Sequence, residues 1–173
     1  MSQGSNKIET PRSFPTWCTV RRGVYRTLIA YISAMRKRGH CIGGTANILL
    51  PKIVWAQEEG EEELVKVLDR DLGLTCTYTF DELVPVAARL GLYLVDADVA
   101  AGACEQSRGM TMAKNECAIV GMEEPVSYGV ARCLFSIASD GTKLSLCVSI
   151  VSCALYQPGE VWIFTRRKPA SAT

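Results

Sequence analysis

The carboxyl-terminal part of this chain constrains its fold most, because strand-like runs alternate there with turn signals. Three such runs span residues 128–138, 143–156 and 161–166. Asp140 and Gly141 lie between the first two, and Asp-Gly between alternating apolar runs is the strongest short signal for a β-hairpin. Pro158 and Gly159 lie before the third run, and this pair favours a turn. The pattern predicts an antiparallel meander of three strands.

Helical periodicity occurs only upstream of these runs. Apolar residues recur at spacings of three and four in two stretches, 22–38 and 64–72, and this spacing predicts amphipathic helices. Thr79 followed by Glu82 forms a capping box, which predicts a third helix over 81–90. Residues 101–115 show no clear period and are predicted to form a loop.

Length and composition predict one domain. With 173 residues, of which 48% are hydrophobic, the chain is long enough to bury a core. We expect a flexible basic arm over 1–16, a single α+β domain over 17–167 and a disordered tail over 168–173. The predicted fold class is α+β, with an antiparallel or mixed sheet, a C-terminal three-strand meander, two to three helices and flexible termini.

The net charge of +1 conceals a strong asymmetry. Residues 1–54 carry nine Lys and Arg against one Glu, a net of +8, whereas residues 55–100 carry three against eleven acids, a net of −8. The two blocks could neutralise each other within one fold, which would leave surface charges of little consequence. Alternatively they could meet between neighbouring copies, since contact of unlike surfaces builds rings or filaments.

The basic block indicates contact with an acidic partner, such as a nucleoprotein, nucleic acid or an anionic membrane. The candidate partner-binding residues combine cations with one aromatic side chain: Arg21, Arg22, Arg26, Arg36, Lys37, Arg38 and Trp17. The candidate self-association residues combine acids with aromatic side chains of the last run: Glu58, Glu59, Glu61, Glu62, Trp162 and Phe164. The sequence therefore predicts a homo-oligomer, and it shows no small-molecule substrate.

Catalytic chemistry has little support. A cysteine hydrolase would need His40, the one histidine, beside Cys41 or Cys104, but adjacent side chains diverge and no nucleophile motif follows. The eight cysteines include no C-x-x-C pair, so they are expected to be reduced and to pack as small hydrophobes. Asp96 and Asp98 could hold Mg²⁺, but a solvated turn is the commoner setting. No catalytic residue, metal ligand or cofactor is predicted.

These observations favour a non-enzymatic structural protein that self-associates and contacts its acidic partner through the basic third. This layout is that of small viral matrix-type proteins, although no motif indicates a family. The alternatives are a nucleic-acid-binding regulator, for example a viral silencing suppressor, and the hydrolase using His40. Because residues 1–16 contain no apolar segment, the protein is expected to be intracellular, cytoplasmic or nuclear, and associated with a virion if the matrix-like layout holds.

Overall fold

The computed structural model describes residues 13–107, 112–152 and 154–166. Within them the chain forms eight strands: Thr16–Arg22 (β1), Cys41–Ile42 (β2), Gly60–Leu68 (β3), Cys117–Val120 (β4), Val126–Tyr128 (β5), Ala131–Ser139 (β6), Leu144–Ile150 (β7) and Val161–Thr165 (β8). The same residues contain four α-helices: Leu28–Lys37 (α1), Gly44–Leu49 (α2), Phe80–Arg89 (α3) and Ala97–Gln106 (α4). Of the predicted arm, residues 1–12 lie outside the described residues, and so does the predicted tail 168–173.

The strands form one curled, half-barrel sheet in the order β1-β3-β8-β4-β6-β7-β2, with β5 paired to β6 beside this path. The sheet is mixed, because β4 runs parallel to β8 and β2 parallel to β7, while the other pairs are antiparallel. The hairpin predicted at Asp140 and Gly141 is confirmed as the β6–β7 connection.

The predicted C-terminal meander is wrong. β8 does not follow β7 in the sheet but lies between β3 and β4. β7 ends at Ile150, well before the turn signal at Pro158, so that turn cannot close a hairpin with it. Trp162, Ile163 and Phe164 are all fully buried, and a strand covered on both faces belongs in the middle of a sheet rather than at its edge.

The prediction of two to three helices is also wrong, since the described residues contain four α-helices. In the helix predicted over 64–72, residues 64–68 belong to strand β3, where hydrogen bonding to β1 and β8 prevails over the local apolar spacing. Only Asp69–Leu72 form a helical turn, and it is a 3-10 turn. Conversely, the loop predicted from residue 101 onward contains most of α4. This helix is rich in Ala and Gly, so it lacked the amphipathic pattern that identifies a surface helix.

The helix α4 packs inside the curl of the sheet, and eight consecutive residues from Asp98 to Glu105 are buried. Its small side chains allow close approach: a Cβ atom at Gly102 would lie 3.0 Å from Cγ1 of Val20 on β1. On the opposite side, the hydroxyl of Tyr31 in α1 donates a hydrogen bond of 3.0 Å to the carbonyl oxygen of Ala101. The small residues of α4 thus let a whole helix fill the concave face.

The last residue of α4 also covers the outer edge of the sheet. The side-chain amide of Gln106 accepts a hydrogen bond of 2.9 Å from the backbone N–H of Arg21 and donates one of 3.0 Å to the Arg21 carbonyl oxygen. These are the two bonds that a neighbouring strand would make. Gln106 therefore satisfies the edge strand β1 at this position from within the chain.

Candidate functional site

A short extended segment opens the sheet where the parallel strands β4 and β8 end. Tyr93 forms an antiparallel bridge with Thr165, directly at the end of β8, and Val95 forms a parallel bridge with Met122, just beyond β4. The two strand ends are therefore held apart by this segment. It leads directly into α4, so the amino end of the buried helix lies at the same place.

An open cleft of about 540 Å³ lies beside this junction. It is lined by the start of α4, by the segment before and within β5, and by the segment that follows α2. The ionisable residues of the lining are Arg22, Lys52, Asp96, Asp98, Glu123 and Glu124. Four carboxylates therefore face two cations, and the lining has a net charge of −2. We call this feature the acidic cleft.

Arg22 is the central cation of the acidic cleft. Its Nη2 lies 2.6 Å from Oδ2 of Asp96 and 3.8 Å from Oδ1 of Asp98, and its Nη1 lies 3.7 Å from Oε1 of Glu62. Glu62 is buried and also accepts a hydrogen bond of 2.9 Å from the hydroxyl of Thr165. Lys52 lies at the other wall, where its Nζ donates a hydrogen bond of 2.8 Å to the carbonyl oxygen of Ser127.

Two carboxylates of the cleft are poorly compensated. Asp98 is only 8% exposed, and its backbone partner Ala56 donates to it across a long 3.4 Å. Burial raises the pKa of Asp98 above its usual value, although the guanidinium of Arg22 opposes this effect. Desolvation also raises the pKa of Glu123, and the neighbouring charges of Asp96 and Glu124 add to it. Both carboxylates would gain from a further positive charge in the cleft.

The acidic cleft is not arranged as a metal site. Within residues 13–107, 112–152 and 154–166, no group of three or more His, Cys, Asp or Glu side chains could hold a metal ion. The sequence alternatives for Asp96 and Asp98 were a magnesium site and a solvated turn. In the structure, Asp96 occupies the N-cap position of α4 without a side-chain capping hydrogen bond and instead binds Arg22, and Asp98 is buried within the first turn of the helix.

Most of the predicted partner-binding arginines make ion pairs within the chain. Arg21 lies 3.7 Å from Glu61, and Arg26 lies 3.8 Å from Glu59, with both members of each pair largely exposed. Such pairs contribute at most about 1 kcal/mol, and salt weakens them further. The internal pairing of the two charge blocks, left open by the sequence, is therefore realised in part.

The other predicted partner-binding residues have different positions. Arg38 pairs with the buried carboxylate of Glu105, which also accepts a hydrogen bond from the Tyr25 hydroxyl. Trp17 is buried in the core. Arg36 and Lys37 are exposed in the last turn of α1. We call these two residues the basic end of α1.

The predicted self-association residues separate into surface acids and core aromatics. Glu58, Glu59 and Glu61 are exposed, whereas Glu62 is buried beside Arg22. Trp162 and Phe164 are fully buried with their rings stacked at a centroid distance of 6.3 Å. These two aromatic residues therefore belong to the interior of the chain rather than to its surface.

The proposed hydrolase pair is not assembled in the described part of the chain. His40 accepts a hydrogen bond of 3.3 Å at Nδ1 from the backbone N–H of Leu144, and it forms no hydrogen bond there with a cysteine. Burial lowers the pKa of His40 below its ordinary value, and the charge of Arg38 adds to this effect. Burial raises the pKa of the Cys104 thiol. A buried thiol with a raised pKa is poorly suited to act as a nucleophile, which disfavours Cys104 in that role; the other candidate, Cys41, is exposed.

Sequence reasoning missed Lys52, Glu123 and Glu124 as parts of the acidic cleft. The adjacent acids before Pro125 were the available signal, but only the pairing of Val95 with Met122 brings them to the start of α4. No protein-family model, curated protein or solved structure matches this chain. In the part of the chain that the structure describes, every helix is too short or too polar to cross a bilayer.

Proposed function

We propose that the protein is a non-catalytic assembly protein, whose copies associate head to tail through oppositely charged surfaces. Its basic end of α1, Arg36 and Lys37, contacts the acidic cleft of a neighbouring copy. The observation that carries this proposal is the surface charge that remains after the ion pairs within the chain are taken into account. The acidic cleft keeps a net charge of −2 although Arg22 and Lys52 line it, and Arg36 and Lys37 are both exposed.

The two surfaces lie at opposite ends of α4. Asp96 and Asp98 stand at its first turn, in the acidic cleft. Arg38, which directly follows α1, pairs with Glu105 near its last turn. A ten-residue helix spans about 15 Å, so the acidic cleft and the basic end of α1 cannot neutralise each other within one copy.

Contact between two such unlike surfaces is heterologous, and it propagates unless the rotation between copies closes a ring. The contact would be dominated by exposed charges, which steer association but are screened beyond about 8 Å at physiological ionic strength. Association should therefore depend on protein concentration and weaken with salt. An assembly of this kind would suit a matrix-type role inside the cell, in cytoplasm or nucleus, or within a virion.

Charge reversal on each surface tests the proposal. We expect Arg36→Glu with Lys37→Glu, or Glu123→Lys with Glu124→Lys, to abolish the concentration-dependent mass increase seen by light scattering at low salt. An equimolar mixture of the two variants should regain it, because every contact then joins opposite charges again. Arg89→Glu, a reversal in the exposed last turn of α3, is the control and should associate like the wild type.

Two results would contradict head-to-tail association: variants that associate as strongly as the wild type, or a mixture that stays monomeric. Circular dichroism of each variant establishes that it is folded.

The second candidate function is binding of an acidic partner such as nucleic acid. It is favoured by the exposed ion pairs of Arg21 and Arg26, which such a partner could readily replace. Scattering that rises only when nucleic acid is added would favour this alternative.

A further inference from the structure

We propose that the acidic cleft is a receptor for one guanidinium group, and that Arg36 of a second copy is its occupant. The inference rests on the proposed function, since it names the group that the neighbouring copy inserts. It goes further by assigning the cleft a chemical specificity, with Asp98 and Glu123 as the residues that confer it.

The size and walls of the cleft suit a long side chain. A volume of about 540 Å³ lies within the range of pockets that hold small ligands. Ile53, Val54, Pro125 and Val126 supply apolar lining, and Val54 is 87% exposed. An arginine packs its methylene stem against apolar surface while its charged head reaches polar groups. The lining thus offers a separate contact for each part of the side chain.

The charges of the cleft call for an additional cation. Arg22 is engaged by Asp96 at 2.6 Å, and Lys52 is engaged by the carbonyl oxygen of Ser127 at 2.8 Å. Asp98 shares Arg22 at the longer distance of 3.8 Å, so it is only partly neutralised. Among the described residues, Glu123 and Glu124 form no ion pair, and these two acids remain available to an incoming positive charge.

The arrangement of these acids favours a guanidinium over a simple ammonium. Asp98 is held by α4 at one wall, whereas Glu123 belongs to the segment leading into β5. A guanidinium presents five N–H donors in a planar fork and can bond carboxylates on two sides, but an ammonium is a compact point charge. Arg22 already lies among several carboxylates: it donates a hydrogen bond of 2.6 Å to Asp96 and lies 3.7 Å from Glu62 and 3.8 Å from Asp98. Metal ions are disfavoured, because the described acids form no metal-holding group.

The occupant follows from charge complementarity and position. Arg36 is exposed at the end of α1. Because α4 separates this end of α1 from the acidic cleft of the same copy, Arg36 is free of that cleft and can enter the cleft of another copy. Lys37 lies beside it and would remain at the rim, near Glu124. A second copy therefore supplies the guanidinium that the first copy lacks.

Titration of the full chain with N-acetyl-arginine amide tests the receptor directly. The chain is kept dilute enough to be monomeric, and amide NMR shifts report binding. We expect saturable shifts at residues 96–98 and 123–124, and no such shifts with the neutral citrulline analogue. Glu123→Gln should weaken binding about tenfold, as expected for losing one charged hydrogen-bond partner. Asp98→Asn should weaken binding in the same way. Glu123→Gln is the more decisive variant, because Glu123 is exposed and its substitution does not disturb the buried core.

Asp81→Asn, an exposed acid in the first turn of α3, is the control and should bind like the wild type. Arg36→Lys links the receptor to assembly: it should weaken self-association although the charge is kept. Equal shifts with citrulline, equal binding by lysine amide, or unchanged binding in Glu123→Gln would overturn the guanidinium assignment. Head-to-tail association itself is tested independently, by the mixture of the two charge-reversal variants.

Discussion

At the scale of single residues, Asp69 shows how one carboxylate organises distant parts of this chain. It is fully buried and accepts hydrogen bonds from the N–H of Gly159 at 2.9 Å, the N–H of Glu160 at 3.1 Å and the hydroxyl of Tyr78 at 2.8 Å. The same hydroxyl accepts a hydrogen bond of 2.9 Å from Nε1 of Trp162. Asp69 thereby ties the end of β3 to the turn that precedes β8.

We predict that Asp69→Asn lowers the free energy of unfolding by about 3 kcal/mol, because an amide would turn its own N–H groups toward donors in a buried site. Tyr78→Phe removes one of these donors and should cost about half as much. Urea unfolding at neutral pH measures both. A loss below about 1 kcal/mol for Asp69→Asn would show that the site relaxes or admits water.

Asp98 gives the chain a pH dependence of opposite sign to the usual carboxylate. Since burial raises its pKa in the fold, the ionised form is disfavoured there, although Arg22 and Asp96 also act on it. The resulting cost to stability is fully present above the folded pKa and disappears as the pH falls below the unfolded pKa.

We therefore predict that the stability of Asp98→Asn, measured relative to the wild type, decreases as the pH is lowered from about 7 to about 4. The variant never carries the cost, whereas the wild type loses it on protonation. Chemical unfolding at several pH values measures this difference. A difference that is constant or grows on acidification would contradict a raised pKa.

Residues that act locally were predictable, and residues that act across the fold were not. Thr79 and Glu82 lie three positions apart and their reciprocal capping box was confirmed, because both groups belong to one helical turn. Asp69 was counted merely as a member of an acidic block, and Asp98 was considered only as a possible magnesium ligand or as part of a solvated turn. Their hydrogen-bond partners lie 90 and 42 positions away in the sequence, at Gly159 and Ala56. No local sequence pattern predicts such distant pairs.

At the scale of elements, the segment between α3 and α4 depends on one close contact. A Cβ atom at Gly121, directly after β4, would lie 2.7 Å from the Phe164 ring and 3.0 Å from Cδ2 of Leu94. The backbone N–H of Val95 donates a hydrogen bond of 2.8 Å to the Gly121 carbonyl oxygen. Only a residue without a side chain lets this segment, the strand end and the buried ring meet.

We predict that Gly121→Ala lowers the free energy of unfolding by about 2 kcal/mol, within the range measured for overpacked cores. Gly44→Ala in α2 is the control, since a Cβ atom there has no neighbour within 4 Å, and it should be neutral or stabilising by up to about 1 kcal/mol. Thermal or urea unfolding compares them. Equal stability of the two variants would mean that Phe164 can move aside.

Elements were predicted well where the pattern matched their environment. The β6–β7 hairpin combines a turn pair with alternating residues, and both features are local. The second half of β3, residues 64–68, was taken for the start of a helix, because nothing local shows that the preceding Glu62 is buried against Arg22 and Thr165. The helix α4 was missed because a helix enclosed by the sheet needs small residues rather than an amphipathic face.

At the scale of the whole molecule, the charge blocks of the sequence are only partly a surface property. Four of the six predicted partner-binding cations pair with acids of the same chain, namely Arg21, Arg22, Arg26 and Arg38. Composition correctly identified opposite charges of similar size, but it could not distribute them between internal pairs and free surfaces. That distribution is set by the strand order, which brings β1 beside β3.

The amide of Gln106, which occupies the backbone groups of Arg21, limits how copies of this protein can join. An edge strand with unpaired backbone groups can add strands of other copies one after another, and assemblies that grow in this way are hard to reverse. At Arg21, added strands are therefore blocked, and side-chain contacts are the more accessible way for another copy to join. If copies associate through charged side chains, as proposed, a rise in ionic strength would separate them again.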